Sequence, residues 1–190
     1  MDGYYDYHPL HQLDRHFVLG GYVGEETRVI GFQLAALTGL PVVDLDRHIE
    51  HQAGRSVWEL IWTQGEDRYR QLEREHLRSL LAERPWSILT LGDGALIDEG
   101  NRLLVSTEAT LTVLDLEFST LYWRLKAHPR ADKNFWHPLH QGPIERFEQI
   151  RPYYLERQPG FAAADHRIEL RGRDRAKVVE ELMAILTANA

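Results

Sequence analysis

Cysteine is absent from the 190 residues, which excludes disulfides and thiolate metal sites. A reducing, cytoplasmic setting is the expectation. Positive charge is in the minority, with 22 Lys and Arg against 29 Asp and Glu, a formal net charge of −7 and a pI near 5.8. That balance argues against nucleic acid as the main partner. No apolar run approaches the roughly 18 residues of a membrane span. The start, Met1-Asp2-Gly3-Tyr4-Tyr5-Asp6-Tyr7, lacks the basic residues and apolar stretch of a signal peptide. What is left is an ordinary soluble composition, 43% hydrophobic and 27% charged, long enough for one domain with a substantial core.

Residues 1–16 are polar, aromatic and without a period, and read as an N-terminal arm. The domain spans 17–190. Phe17–Val23 reads as a buried strand. Thr27–Thr38 carries Ile30, Leu34 and Leu37 at the spacing of one helix face, and Gly39 suits its C-terminal stop. Leu40–Asp46 reads as a strand ending in carboxylates, followed by a helix over Arg47–Ala53. Ser56-Val57-Trp58-Glu59 is a capping box. Glu66–Glu83 is a long amphipathic helix.

Further strands are expected at Trp86–Leu91, Thr110–Leu116 and His166–Leu170. Helices are expected at Asp98–Val105, at Ser119–Ala127, from Pro143 to about Arg157, and after the capping residue Asp174. Between 128 and 142 the pattern breaks. Alternating strands and helices with apolar strands imply an α/β fold: a five-stranded parallel sheet with helices on both faces. Ligands in such sheets sit beyond the C-terminal strand ends. The Gly21 turn, Asp44, Asp46 and the Gly92-Asp93-Gly94 turn all fall there.

The stretch Gly21-Tyr22-Val23-Gly24-Glu25-Glu26-Thr27-Arg28 lies between the first strand and first helix. This is the setting of the phosphate-binding P-loop, G-x-x-x-x-G-K-[ST]. Gly21 and Gly24 keep part of it. Glu26 stands at the last glycine, Thr27 at the lysine and Arg28 at the Ser/Thr. A polyphosphate would meet Glu25 and Glu26 and find no lysine.

The order of motifs resembles the shikimate kinase family of P-loop, nucleoside-monophosphate-kinase-like proteins, over nearly the whole chain. Thr38-Gly39-Leu40-Pro41 leads into Asp44-Leu45-Asp46 without gaps. Gly65-Glu66-Asp67-Arg68-Tyr69-Arg70-Gln71-Leu72-Glu73 matches the family's G-E-x-x-F-R-x-L-E. Gly92-Asp93-Gly94-Ala95 matches its G-G-G-A turn, with Asp93 in place of the middle glycine. His137-Pro138-Leu139-His140 corresponds to its lid R-P-L-L, and Arg157-Gln158-Pro159-Gly160-Phe161 to its R-x-P-L-Y.

The resemblance implies roles for these residues. Asp46 would lie at the reacting hydroxyl. Asp46, Arg70, Gly92, Asp93, Gly94 and Arg157 would line the substrate site, the two arginines holding a carboxylate bidentately. Asp44 would approach a magnesium ion if the protein is an active kinase. The lid, about 128–142, would contribute Arg130, Lys133 and His137, the last where the family has arginine.

The leading expectation is a non-catalytic relative, a ligand-binding or regulatory pseudokinase. It keeps a pocket for a small hydroxylated or cyclic carboxylate ligand and has a degenerate nucleotide loop at Gly21, Gly24, Glu25, Glu26, Thr27 and Arg28. No cofactor is expected on that reading. The alternative is an active ATP- and magnesium-dependent kinase acting on a hydroxyl of shikimate or a related cyclitol. A third possibility is a purely structural subunit, and a protein partner or a homo-oligomer stays open.

Singly, each residue has a plainer reading. Asp44 and Asp46 are then helix-capping turn residues, the two arginines surface ion pairs, and Glu25 and Glu26 ordinary loop acids. Asp93 is either turn chemistry or an added negative charge in the recess. Trp58, Trp62, Phe135, Trp136, Tyr153 and Tyr154 are read as core and lid packing rather than a stacking platform. The repeated His-Pro-Leu-His-Gln at 8–12 and 137–141 is read as coincidence rather than a zinc site.

Overall fold

The computed structural model describes residues 13–22, 25–83, 85–127 and 146–188. Five strands form one parallel sheet: β1 (His16–Gly21), β2 (Val42–Asp44), β3 (Ile88–Thr90), β4 (Ala109–Asp115) and β5 (His166–Glu169). Their order is β2-β3-β1-β4-β5. The register pairs Phe17 with Ile88 and Thr110, and Val43 with Leu89. The chain therefore winds outward to one edge, returns, and crosses β1 to finish on the other edge. All six residues of β1 are buried, as a central strand covered on both faces requires.

The helices are α1 (Glu25–Thr38), α2 (Leu45–Ala53), α3 (Val57–Gln64), α4 (Glu66–Ala82), α5 (Glu99–Glu108), α6 (Phe118–Ala127), α7 (Arg151–Ala162) and α8 (Arg175–Ala188). Local signals fix several ends. Gly39 adopts φ 74° after α1, and Gly54 adopts φ 63° after α2, where a side chain would be strained. The Ser56–Glu59 capping box is fully formed. Asp98 and Asp174 each accept a backbone N–H three residues on.

Several boundaries differ from the sequence reading. β1 begins at His16, Leu13 is buried, and Arg15 donates to the Ala109 carbonyl, so the end of the presumed arm belongs to the domain. β2 is only three residues long, because Asp44 caps α2 and Leu45 and Asp46 are already helical. α7 starts at Arg151 rather than Pro143, and its first-turn proline is Pro152. Pro143 lies outside the described residues, as does the lid with Arg130, Lys133 and His137. Trp62 stacks on Trp58 but is 74% exposed, so this pair is not core. Among the described residues, no helix is long and apolar enough to cross a membrane.

Candidate active site

Three adjacent strands, β2, β3 and β1, deliver their C-terminal ends to one edge of the sheet. Beyond β2 and β3 lies a cavity of about 330 Å³, mouth included. Asp46, Tyr69, Arg70, Glu73, Gly92, Asp93 and Gly94 line it, with Val57 and Ile61 of α3 as an apolar wall. Asp46 enters from the first turn of α2, and Tyr69, Arg70 and Glu73 from one face of α4. The backbone turn follows β3.

The glycines of that turn have a steric reason. A Cβ on Gly92 would come within 2.7 Å of Asp46 Oδ1, and one on Gly94 within 2.3 Å of Arg70 Nη2. Any side chain at either position would displace the functional group opposite.

Asp46 Oδ1 accepts a 2.6 Å hydrogen bond from the Tyr69 hydroxyl. Burial, then the Glu73, Asp44 and Asp93 carboxylates, raise its pKa from 3.8 to about 7. The Tyr69 bond pulls the other way but is outweighed. A carboxyl that titrates near neutrality can take up a proton at physiological pH.

Arg70 Nη1 donates to both Glu73 oxygens, at 3.1 and 2.9 Å, and Nη2 to Glu66 at 2.9 Å. Burial works against the Arg70 charge, but the two glutamates more than offset it and hold its pKa up. Glu73 is 1% exposed. Burial pushes its pKa up while Arg70 pulls it back.

Arg157 approaches from α7 and is 2% exposed. Its guanidinium lies 3.5 Å from the Tyr153 ring centre, and its Nη2 lies 3.5 Å from Asp93 Oδ1. The Tyr153 hydroxyl donates to the other Asp93 oxygen. Burial and nearby carboxylates raise both the Tyr69 and Tyr153 phenols, so each stays a protonated donor. α7 comes this close because Gly160 packs directly on the turn at Ala95–Ile97. A Cβ there would meet the Leu96 carbonyl at 2.6 Å.

Asp44 stands apart from the cavity. Oδ1 accepts the Arg47 N–H at 2.9 Å and Oδ2 accepts the Thr90 hydroxyl at 2.7 Å. Both oxygens are committed to capping α2 and tying β2 to β3. Among the described residues, no group of three or more His, Asp or Glu is arranged to hold a metal ion.

The turn after β1 is built differently from the sequence expectation in two respects. α1 begins at Glu25, so Glu26 is helical and needs no glycine-like backbone. The Glu26 carboxylate pairs with Arg124 of α6. Its charge is thus neutralised, and it sits at a helix N-terminus, where an acid is favoured. Thr27 is 1% exposed, and its Oγ1 has no partner among the described residues. Gly21 is held against β4, where a Cβ would meet the Leu114 carbonyl at 2.8 Å. Tyr22 leaves the turn inward. Its ring stacks on Tyr154 and edges onto Phe161 of α7. Gly24 and the Glu25 side chain lie outside the described residues, and Arg28 is half-buried on α1.

The structure therefore brings Asp46, Arg70, Gly92, Asp93, Gly94 and Arg157 together. It places Asp44 in the scaffold and the Gly21 turn beyond β1, two strands from Asp46. Sequence reasoning missed Tyr69, Glu73 and Tyr153. Glu73 carried a signal, since it lies three residues after Arg70 on a helix, the spacing of an ion pair.

The model of the family described as shikimate kinase matches residues 28–187. The chain is 31% identical over 176 residues to the shikimate kinase of Salinibacter ruber, covering 90% of this chain and 84% of that protein. It is 33% identical over 170 residues to that of Mycobacterium marinum, covering 89% and 88%. Among solved structures, it is similar to a shikimate kinase from Acinetobacter baumannii in complex with shikimate, with a TM-score of 0.78, 22% identity and 92% and 94% coverage. The Aquifex aeolicus shikimate kinase aligns with a TM-score of 0.71, 20% identity and 92% and 97% coverage.

Proposed function

The chain belongs to the shikimate kinase family, and on that premise we propose that it is an ATP-dependent kinase. Its acceptor would be a hydroxyl of shikimate or a related cyclitol, bound in the recess between Asp46, Arg70 and the Gly92–Gly94 turn. The observation that carries this reading is Asp46. It is a half-buried carboxyl facing the cavity, hydrogen-bonded to Tyr69 and raised to about 7. A carboxylate with a pKa near the operating pH is a stronger base for the proton of an attacking hydroxyl than an ordinary one, while a share of it stays ionised.

The remaining geometry is compatible with transfer. The donor end would lie at the Gly21–Arg28 turn and the acceptor end at Asp46. Gly21 ends β1 and Asp46 follows β2, two strands away, roughly 10 Å by ordinary strand spacing. The names of the curated relatives support the same reading, as does the shikimate bound in the Acinetobacter structure. Asp44 caps α2 and accepts the Thr90 hydroxyl, and Arg28 occupies the hydroxyl position of the loop.

One observation favours a second reading, a ligand-binding protein without turnover. Thr27 stands where the phosphate-binding lysine is required, is buried, and carries no charge. Calorimetry with ATP–Mg²⁺ and a coupled phosphoryl-transfer assay on the purified chain separate the two. Turnover with shikimate or a cyclitol supports the kinase. Acceptor binding with no ATP binding supports the second reading and overturns the first.

A further inference from the structure

Among the described residues, the recess contains two guanidinium groups, and each already carries a carboxylate from the protein itself. Arg70 is forked onto Glu73, at 3.1 and 2.9 Å, with Glu66 on its other nitrogen. Arg157 is 2% exposed. One face of it is covered by the Tyr153 ring at 3.5 Å, and the Asp93 carboxylate lies on its Nη2. Asp93 is itself fixed from a second direction by the Tyr153 hydroxyl. A ligand in the cavity meets Asp93, not Arg157.

The charges follow from these contacts. Asp46, Glu73 and Asp93 set three acids against Arg70 and Arg157, and Glu66 and Glu156 add two more at the rim. An incoming carboxylate would enter a partly desolvated space in which, among the described residues, both guanidinium groups already face protein carboxylates. Like charges at such range repel strongly when water is excluded. Hydroxyl and ammonium groups find the opposite: carboxylates of Asp46, Glu73 and Asp93 on several sides.

We propose that the recess takes a hydroxylated ring without a carboxylate, a neutral cyclitol or an aminocyclitol, and that Asp93 is the specificity-determining residue. Asp93 fills with a protein carboxylate the place on Arg157 that an acidic ligand would need. The family resemblance implies instead that both arginines hold a ligand carboxylate, and acid against ester binding decides between the two. This inference rests on the reading of the cavity as the acceptor site, and narrows the acceptor within it.

The test uses the purified full chain and calorimetry with four probes: shikimate, its methyl ester, myo-inositol and 2-deoxystreptamine. The ester keeps the ring and hydroxyls of shikimate and removes only the charge. It is expected to bind at least about tenfold more tightly than the acid. Asp93→Gly is expected to reverse that preference by opening Arg157 to the acid. Asp93→Asn keeps the side chain's size and removes its charge, and is expected to narrow the gap. The wild-type comparison of acid with ester stands whether or not either variant folds. Shikimate binding more tightly than its ester to the wild type would overturn the inference while leaving the acceptor site intact. If none of the four probes binds, the acceptor-site reading itself falls.

Discussion

Replacing Asp46 by Asn should make the protein more stable above neutral pH and far less able to transfer a phosphoryl group. The folded carboxyl titrates at about 7 against an ordinary 3.8. The native state therefore binds a proton more readily than the unfolded chain between these values. Stability from this group is fully present below about pH 4 and is lost as pH rises through about 7. At about 1.4 kcal/mol per pKa unit, the ionised form costs the fold at most about 4 kcal/mol at pH 8. Asp46 is half-buried, and its contact with water reduces the expected cost to about 2 kcal/mol.

Asn is neutral and still accepts the Tyr69 hydroxyl. Urea unfolding of the wild type and Asp46→Asn should therefore show a gain of about 2 kcal/mol at pH 8 and a difference below about 0.5 kcal/mol at about pH 3.5. The same substitution removes the base, so turnover should fall at least about 100-fold. Equal stability differences at the two pH values would refute the argument, because the effect would then be packing rather than ionisation.

Glu73→Ala should destabilise the protein by about 3 kcal/mol, since it leaves Arg70 half-buried without its forked partner. Chemical denaturation measures this, and Arg70→Leu in the same chain should recover most of the loss. Gly160→Ala should cost about 1–3 kcal/mol, because its Cβ would meet the Leu96 backbone at 2.6 Å. It should also weaken acceptor binding by shifting Arg157, which calorimetry would read.

Much of this molecule is written locally. The Ser56–Glu59 box, Gly39 and the Asp98 and Asp174 caps are interactions within three or four residues, and each formed where the sequence places it. The period of Ile30 and Leu34, and the unbroken apolar strands, were enough to specify a parallel α/β sheet. The ordered motifs were enough to bring Asp46, Arg70, Gly94 and Arg157 to one edge. A boundary failed where two signals competed. Asp44 read as the end of a strand, but its side chain caps α2, and helix formation took Leu45 and Asp46.

The partner of each charge was decided only by tertiary structure. Glu26 looked like an unopposed acid at a phosphate turn, until α6 brought Arg124 onto it. Arg157 carried no local sign of its partner, and only the packing of α7 through Gly160 on the Ala95–Ile97 turn brings it within 3.5 Å of Asp93. Nothing local sets these distances. They depend on how helices far apart in the chain pack on one sheet, and a shift of a few ångströms separates an ion pair from two solvated charges. The near-neutral pKa of Asp46 has the same origin, since burial and three other carboxylates act on it only once α2, α4 and the Gly92–Gly94 turn have closed around one cavity.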